Sequence, residues 1–187
     1  MGYSLSWAAV KNGKPEAIHS VLGLRATGVL EEIPESKIVG ASLPTGWYLV
    51  SFNRKELGDH ILAKLSSMGE IVYCFVEDHV MFSQASGWKD GTFLWSVTHD
   101  CEKGRYHLEI KGDTPPSLKG IHATLGAAQD AAGGKEADVD FVYDVPAKLA
   151  KNLTGFRHDQ DMSGMNDKPF QVLEKKAFFS RFFGEKN

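Results

Sequence analysis

Two apolar runs set the terms on which this chain can fold. Trp47-Tyr48-Leu49-Val50-Ser51-Phe52 and Ile71-Val72-Tyr73-Cys74-Phe75-Val76 are almost free of polar side chains and rich in aromatic and β-branched residues. Runs of this length and composition belong to central strands, apolar on both faces, rather than to buried helices. A central strand needs a sheet around it. Tyr3, Leu5, Trp7 and Ala9 alternate with Ser4, Ser6 and Ala8, the period of two of a further strand with one buried face.

Between these strands the period becomes helical. Pro15 can open a helix in which Ala17, Ile18, Val21 and Leu22 share a face and Gly23 stops the segment. Ile61, Leu62, Leu65 and Met68 form a second stripe, capped by Asn53 or Asp59 and ended by Gly69. Residues 24–33 read as a weaker strand, and Pro34 and Pro44 bracket a loop. The resulting order is βαββαβ, the split pattern of ferredoxin-like folds, with two helices on one face of an antiparallel sheet.

The second half predicts an extension of that sheet. Strand-like residues 79–84 and 92–99 are joined through Asp90-Gly91, whose backbone tolerates the positive φ angles of a tight hairpin, and residues 105–110 complete an antiparallel β-meander. A helix starts at Pro115-Pro116, buries Leu118, Ile121, Leu125 and Ala128, and ends at Gly133-Gly134. Residues 137–143 read as one more strand, 146–153 as a short helix and 155–169 as a polar loop. Over residues 170–184 the chain reads as a C-terminal helix, with Leu173, Phe178, Phe179, Phe182 and Phe183 at helical spacings. The expectation is one two-layer α+β domain spanning residues 1–187 and covered by helices.

Composition narrows the function classes. A chain of 187 residues with 42% hydrophobic side chains can bury a full core without a metal or disulfide. Cys74 and Cys101 read as reduced thiols, which predicts a cytoplasmic protein, as does the lack of a basic n-region or a long apolar run near Met1. The net charge is −3 with Lys and Arg scattered, which disfavours nucleic acid; no apolar run predicts a membrane span. The motifs imply no cofactor.

The sharpest catalytic candidate is Asp138-Val139-Asp140. On a strand these carboxylates would stand side by side and could hold Mg²⁺ for phosphoryl or nucleotidyl transfer. The triplet resembles the D-h-D strand of the nucleotidyltransferase superfamily, although Leu125-Gly126-Ala127 lacks the hydroxyl of that family's upstream turn. His158 lies in Arg157-His158-Asp159-Gln160-Asp161, a polar loop of mixed charge where functional groups often sit, and would be the third member of such a site. Cys74 and Cys101 have the wrong surroundings for nucleophiles.

The aromatic residues point elsewhere. Trp88 beside a charged turn, and Phe178 and Phe182 among Lys175, Lys176 and Arg181, have the character of interface anchors, with Arg157 as a polar contact. The favoured expectation is therefore a non-enzymatic module that binds another protein. In size and charge the chain is similar to small acidic bacterial immunity proteins, which neutralise toxins; the Mg²⁺-dependent transferase using Asp138 and Asp140 is the alternative.

Overall fold

The structure is a computed structural model and describes residues 2–160, 164–165 and 167–176. Among them, nine strands form one antiparallel sheet in the order β2-β9-β3-β4-β1-β5-β6-β7-β8, accompanied by four α-helices. The strands are β1 (Ser4–Lys11), β2 (Leu24–Glu31), β3 (Ile38–Ser42), β4 (Trp47–Asn53), β5 (Ile71–Glu77), β6 (Phe82–Lys89), β7 (Thr92–Asp100), β8 (Glu109–Gly112) and β9 (Phe170–Lys175). The helices are α1 (Pro15–Leu22), α2 (Asp59–Ser66), α3 (Ser117–Ala131) and α4 (Asp144–Thr154). The architecture is thus mixed α+β.

The two apolar runs explain the layering. β4 and β5 flank β1, with Trp7 opposite Ser51 on one side and Cys74 on the other. One set of alternate residues, including Ala8, Val10, Tyr48, Val50 and Tyr73, packs with Ile18 of α1 and Leu62 and Leu65 of α2. The other set, including Leu5, Trp7, Leu49, Val72 and Cys74, packs with Leu118 and Leu125 of α3 and Val145 and Leu149 of α4. Each large apolar side chain buried this way contributes roughly 1.5–3 kcal/mol. Strands apolar on both faces need cover on both, so the expected two layers become three.

Other differences have local causes. Residues within the expected Pro34–Pro44 loop form β3, so the opening order is βαβββαβ. Its small residues carry little strand signal, but they are what fits: a Cβ at Gly40 would stand 2.2 Å from Tyr48 Oη. Residues 170–175, expected to start a helix, form β9, which pairs with both β2 and β3 and satisfies backbone groups on each. The remainder of that expected helix, with Phe178 and Phe182, lies outside the described residues.

Residues 137–143, expected as a strand, are an irregular connection running from a short 3-10 turn (Gly134–Glu136) into α4. Fully buried Gln129 of α3 holds it in place. The Gln129 amide donates to Gly134 O at 2.7 Å and Val139 O at 3.1 Å, and accepts from Phe141 N–H at 2.8 Å. One side chain therefore does for this backbone what a neighbouring strand would have done.

Candidate functional site

A cleft lined by both polar and apolar side chains is assembled at the end of the sheet where β1 begins and β5 ends. α4 stops at Gly155, whose φ of 87° places it in the left-handed region that glycine favours. Phe156 then packs edge-on against Trp7, with ring centroids 5.3 Å apart, and the chain doubles back along α4. That return brings Arg157, 7% exposed, to Asp144 on the first turn of α4. Its Nη2 donates to Asp144 Oδ1 at 2.8 Å and its Nε to Asp159 Oδ1 at 2.7 Å. Burial alone would lower the guanidinium's pKa, but the two carboxylates more than offset it and hold the group charged.

His158 follows in the same turn, its ring 4.8 Å from that of Tyr3 in an edge arrangement. Burial pushes its imidazole below the ordinary value, Arg157 acting in the same direction and Asp159 against. Its Nδ1 is buried with no hydrogen-bond partner among the described residues. Behind it, Asp78 accepts from the Tyr143 hydroxyl at 2.5 Å and from the Tyr3 backbone N–H at 2.7 Å. Burial, then the Asp78 carboxylate, drives the Tyr143 phenol well above its usual range, so it stays protonated and donates to Asp78.

Tyr3, Phe156, Arg157, His158 and Asp159 border a cleft of about 360 Å³, with Asp78 and Tyr143 outside its lining. Its walls include Tyr3 just before β1, Glu32, Ile33 and Pro34 of the β2–β3 connection, and Met165, Asp167 and Pro169 ahead of β9. Ile33 is 63% exposed, and neighbouring Leu30 is exposed as well. The acidic groups of the lining are Glu32, Asp159 and Asp167, while its one guanidinium, on Arg157, is already shared between Asp144 and Asp159. The lining therefore favours a cation that also presents apolar surface.

Tyr143 also reaches a second polar group. Its ring lies 6.1 Å from that of His99, and its backbone N–H donates to Asp140 Oδ1 at 3.1 Å. His99 Nδ1 faces the His107 carbonyl at 2.9 Å; a carbonyl only accepts, so this nitrogen carries a proton. His99 Nε2 stands 3.2 Å from Asp140 Oδ2, within ion-pair range but off the line of a hydrogen bond, and both side chains are fully buried. This contact packs the 137–143 connection against β7, and losing either side chain would leave the other's buried polar atoms without a neighbour.

The expected site residues are distributed differently from the sequence reading. Asp138 is exposed while Asp140 is buried against His99, so the two carboxylates do not stand side by side; the strand that would have aligned them is the irregular connection described above. His158 joins Arg157 in the cleft, apart from both. Among the described residues, no group of three His, Cys, Asp or Glu side chains could hold a metal ion. Trp88, expected as an exposed anchor, is only 8% exposed: its indole donates to Ser86 Oγ at 3.1 Å, and its ring meets Phe93 edge-on at 5.3 Å.

Tyr3, Glu32, Ile33, Asp78 and Tyr143 had no motif to announce them, because only the folded sheet gathers them. Among the described residues no helix is long and apolar enough to cross a membrane. Comparison with models of protein families, with curated proteins and with solved structures gives no match.

Proposed function

We propose that the protein is a non-enzymatic binding module that takes a basic segment of another protein at the Tyr3–Ile33–Asp159 cleft, in the manner of a small acidic immunity protein. What supports this reading is the lining itself: Glu32 and Asp167 stand beside an Arg157 guanidinium already neutralised by Asp144 and the third lining carboxylate, Asp159, with Ile33 exposed and Pro34 half-buried at the rim. A lysine or arginine side chain carries an aliphatic stem and a charged head. Its stem would lie on Ile33, Pro34 and Tyr3, and its head would meet Glu32, Asp159 and Asp167. Apolar contact supplies affinity and the acidic rim steers the approach.

The test is comparative recovery from the native cell. Wild-type protein should retain a stoichiometric partner that Ile33→Asp and Glu32→Lys each lose, while Val139→Asp, an exposed site away from the cleft lining, keeps it. Equal retention by all four proteins would rule the cleft out as the binding surface.

A further inference from the structure

A concavity of opposite character lies where β7 leaves the sheet. Cys101–Lys103 form one 3-10 turn, and a hydrogen bond from His107 N–H to Gly104 O closes a second turn leading towards β8. Across from them stands Lys135, in the short turn Gly134–Glu136 that follows α3. Lys103, Arg105, Tyr106, His107 and Lys135 line a cavity of about 550 Å³, and no carboxylate lines it.

Two of the three cations there are not paired with one another or with neighbours. Lys103 reaches Asp100 at 3.5 Å, whereas Arg105 and Lys135 take part in no ion pair among the described residues. His107 Nδ1 accepts the Asp100 backbone N–H at 3.1 Å, which leaves its Nε2 as the protonated nitrogen and a donor. Tyr106 donates its hydroxyl to Asp130, which anchors a partly exposed ring at the same cavity. In a chain of net charge −3, two unpaired cations, a third shared one and an imidazole donor are gathered around one space, which makes the local potential positive and favours an anion there.

We infer that this cavity binds a phosphorylated small molecule. The phosphoryl oxygens are taken by Arg105, Lys103 and Lys135, the guanidinium supplying paired donors that fit a phosphate edge. The organic part lies on the Tyr106 ring. The volume favours a molecule over a bare ion, since cavities of roughly 300–1,000 Å³ are those that enclose small ligands. The site shares no lining residue with the acidic cleft, so either can fail without the other.

The experiment is an amide chemical-shift titration of the whole protein with inorganic phosphate, pyrophosphate and AMP, each against chloride at matched ionic strength. All three probes should shift amides within 101–107 and 134–136, with AMP binding about tenfold more tightly than inorganic phosphate. Arg105→Gln with Lys135→Gln should weaken AMP by about tenfold or more, whereas Lys89→Gln, outside the lining, leaves it unchanged. Lys135→Gln alone, at an exposed position, provides a second variant with little risk to folding. The inference is overturned if the probes behave as chloride does, if shifts map elsewhere, if AMP binds no tighter than phosphate, or if the glutamine variants bind AMP as the wild type does.

Discussion

Replacing Arg157 by methionine removes the guanidinium that ties the 156–160 turn to α4, and the cost can be worked from its contacts. Its two N···O distances are 2.7 and 2.8 Å. A pair of unit charges whose centres lie about 4 Å apart attracts by about 4 kcal/mol at an effective dielectric of 20, much of which is returned as desolvation. Removing one side of a buried pair typically costs about 3–5 kcal/mol because the remaining charge is stranded. Here the stranded groups are not fully buried. The Asp144 and Asp159 side chains are 31% and 29% exposed and can regain water, which brings the expected loss down to about 2–3 kcal/mol. For a chain of this length that is a fall in melting temperature of about 5–10 °C.

Urea unfolding followed by tryptophan fluorescence at pH 7 measures the loss, and Arg157→Lys should recover only part of it, because an ammonium cannot serve both carboxylates with the planar fork. Adding Asp144→Asn to Arg157→Met should cost less than the sum of the two single changes, since both disrupt one interaction. A methionine variant within about 0.5 kcal/mol of wild type, or strict additivity in the cycle, would refute the reasoning.

The histidines set a pH dependence: burial lowers His158 and His19 below the usual value near 6.5, so the unfolded chain binds more protons below that pH and stability falls as pH drops from about 7 towards 5. Unfolding midpoints across that range should show the fall, and His158→Gln should flatten it. Burial pushes the Cys74 thiol up to about 12 and raises Cys101 as well, with Asp140 adding to the second, so a thiol reagent at pH 8 should titrate Cys101 slowly and Cys74 only after denaturation. Trp88→Ala should cost about 3 kcal/mol or more in urea unfolding, as expected for a packed ring; a cost below about 0.5 kcal/mol would mean the indole is a surface group.

What the sequence revealed follows from where each structural decision is made. Pro15 and Gly23 bracket α1, and Asp90 and Gly91, with φ of 51° and 76°, turn the β6–β7 hairpin; these are local choices written in adjacent residues. β3 and β9 depend on distant partners. Val39-Gly40-Ala41 is a strand because β4 lies beside it, and Phe170-Gln171-Val172 because β2 and β3 leave a slot. Alternation misled at 137–143, where Ala137, Asp140 and Val142 are buried in a segment that Gln129 pins and that never joins the sheet. The polar stretch Arg157-His158-Asp159 could be flagged as a loop with chemistry. Its neighbours could not, since Tyr3, Ile33 and Asp78 reach it only through strand pairing.

Whether the acidic cleft accepts a cation with an apolar stem can be read directly. Isotope-labelled protein titrated with a short peptide containing leucine, arginine and lysine should show saturating shifts at Tyr3, Glu32, Ile33 and Asp159, weakening with added salt and vanishing in Glu32→Lys combined with Asp167→Lys. Shifts scattered over the surface, or an affinity that survives the double charge reversal, would contradict it.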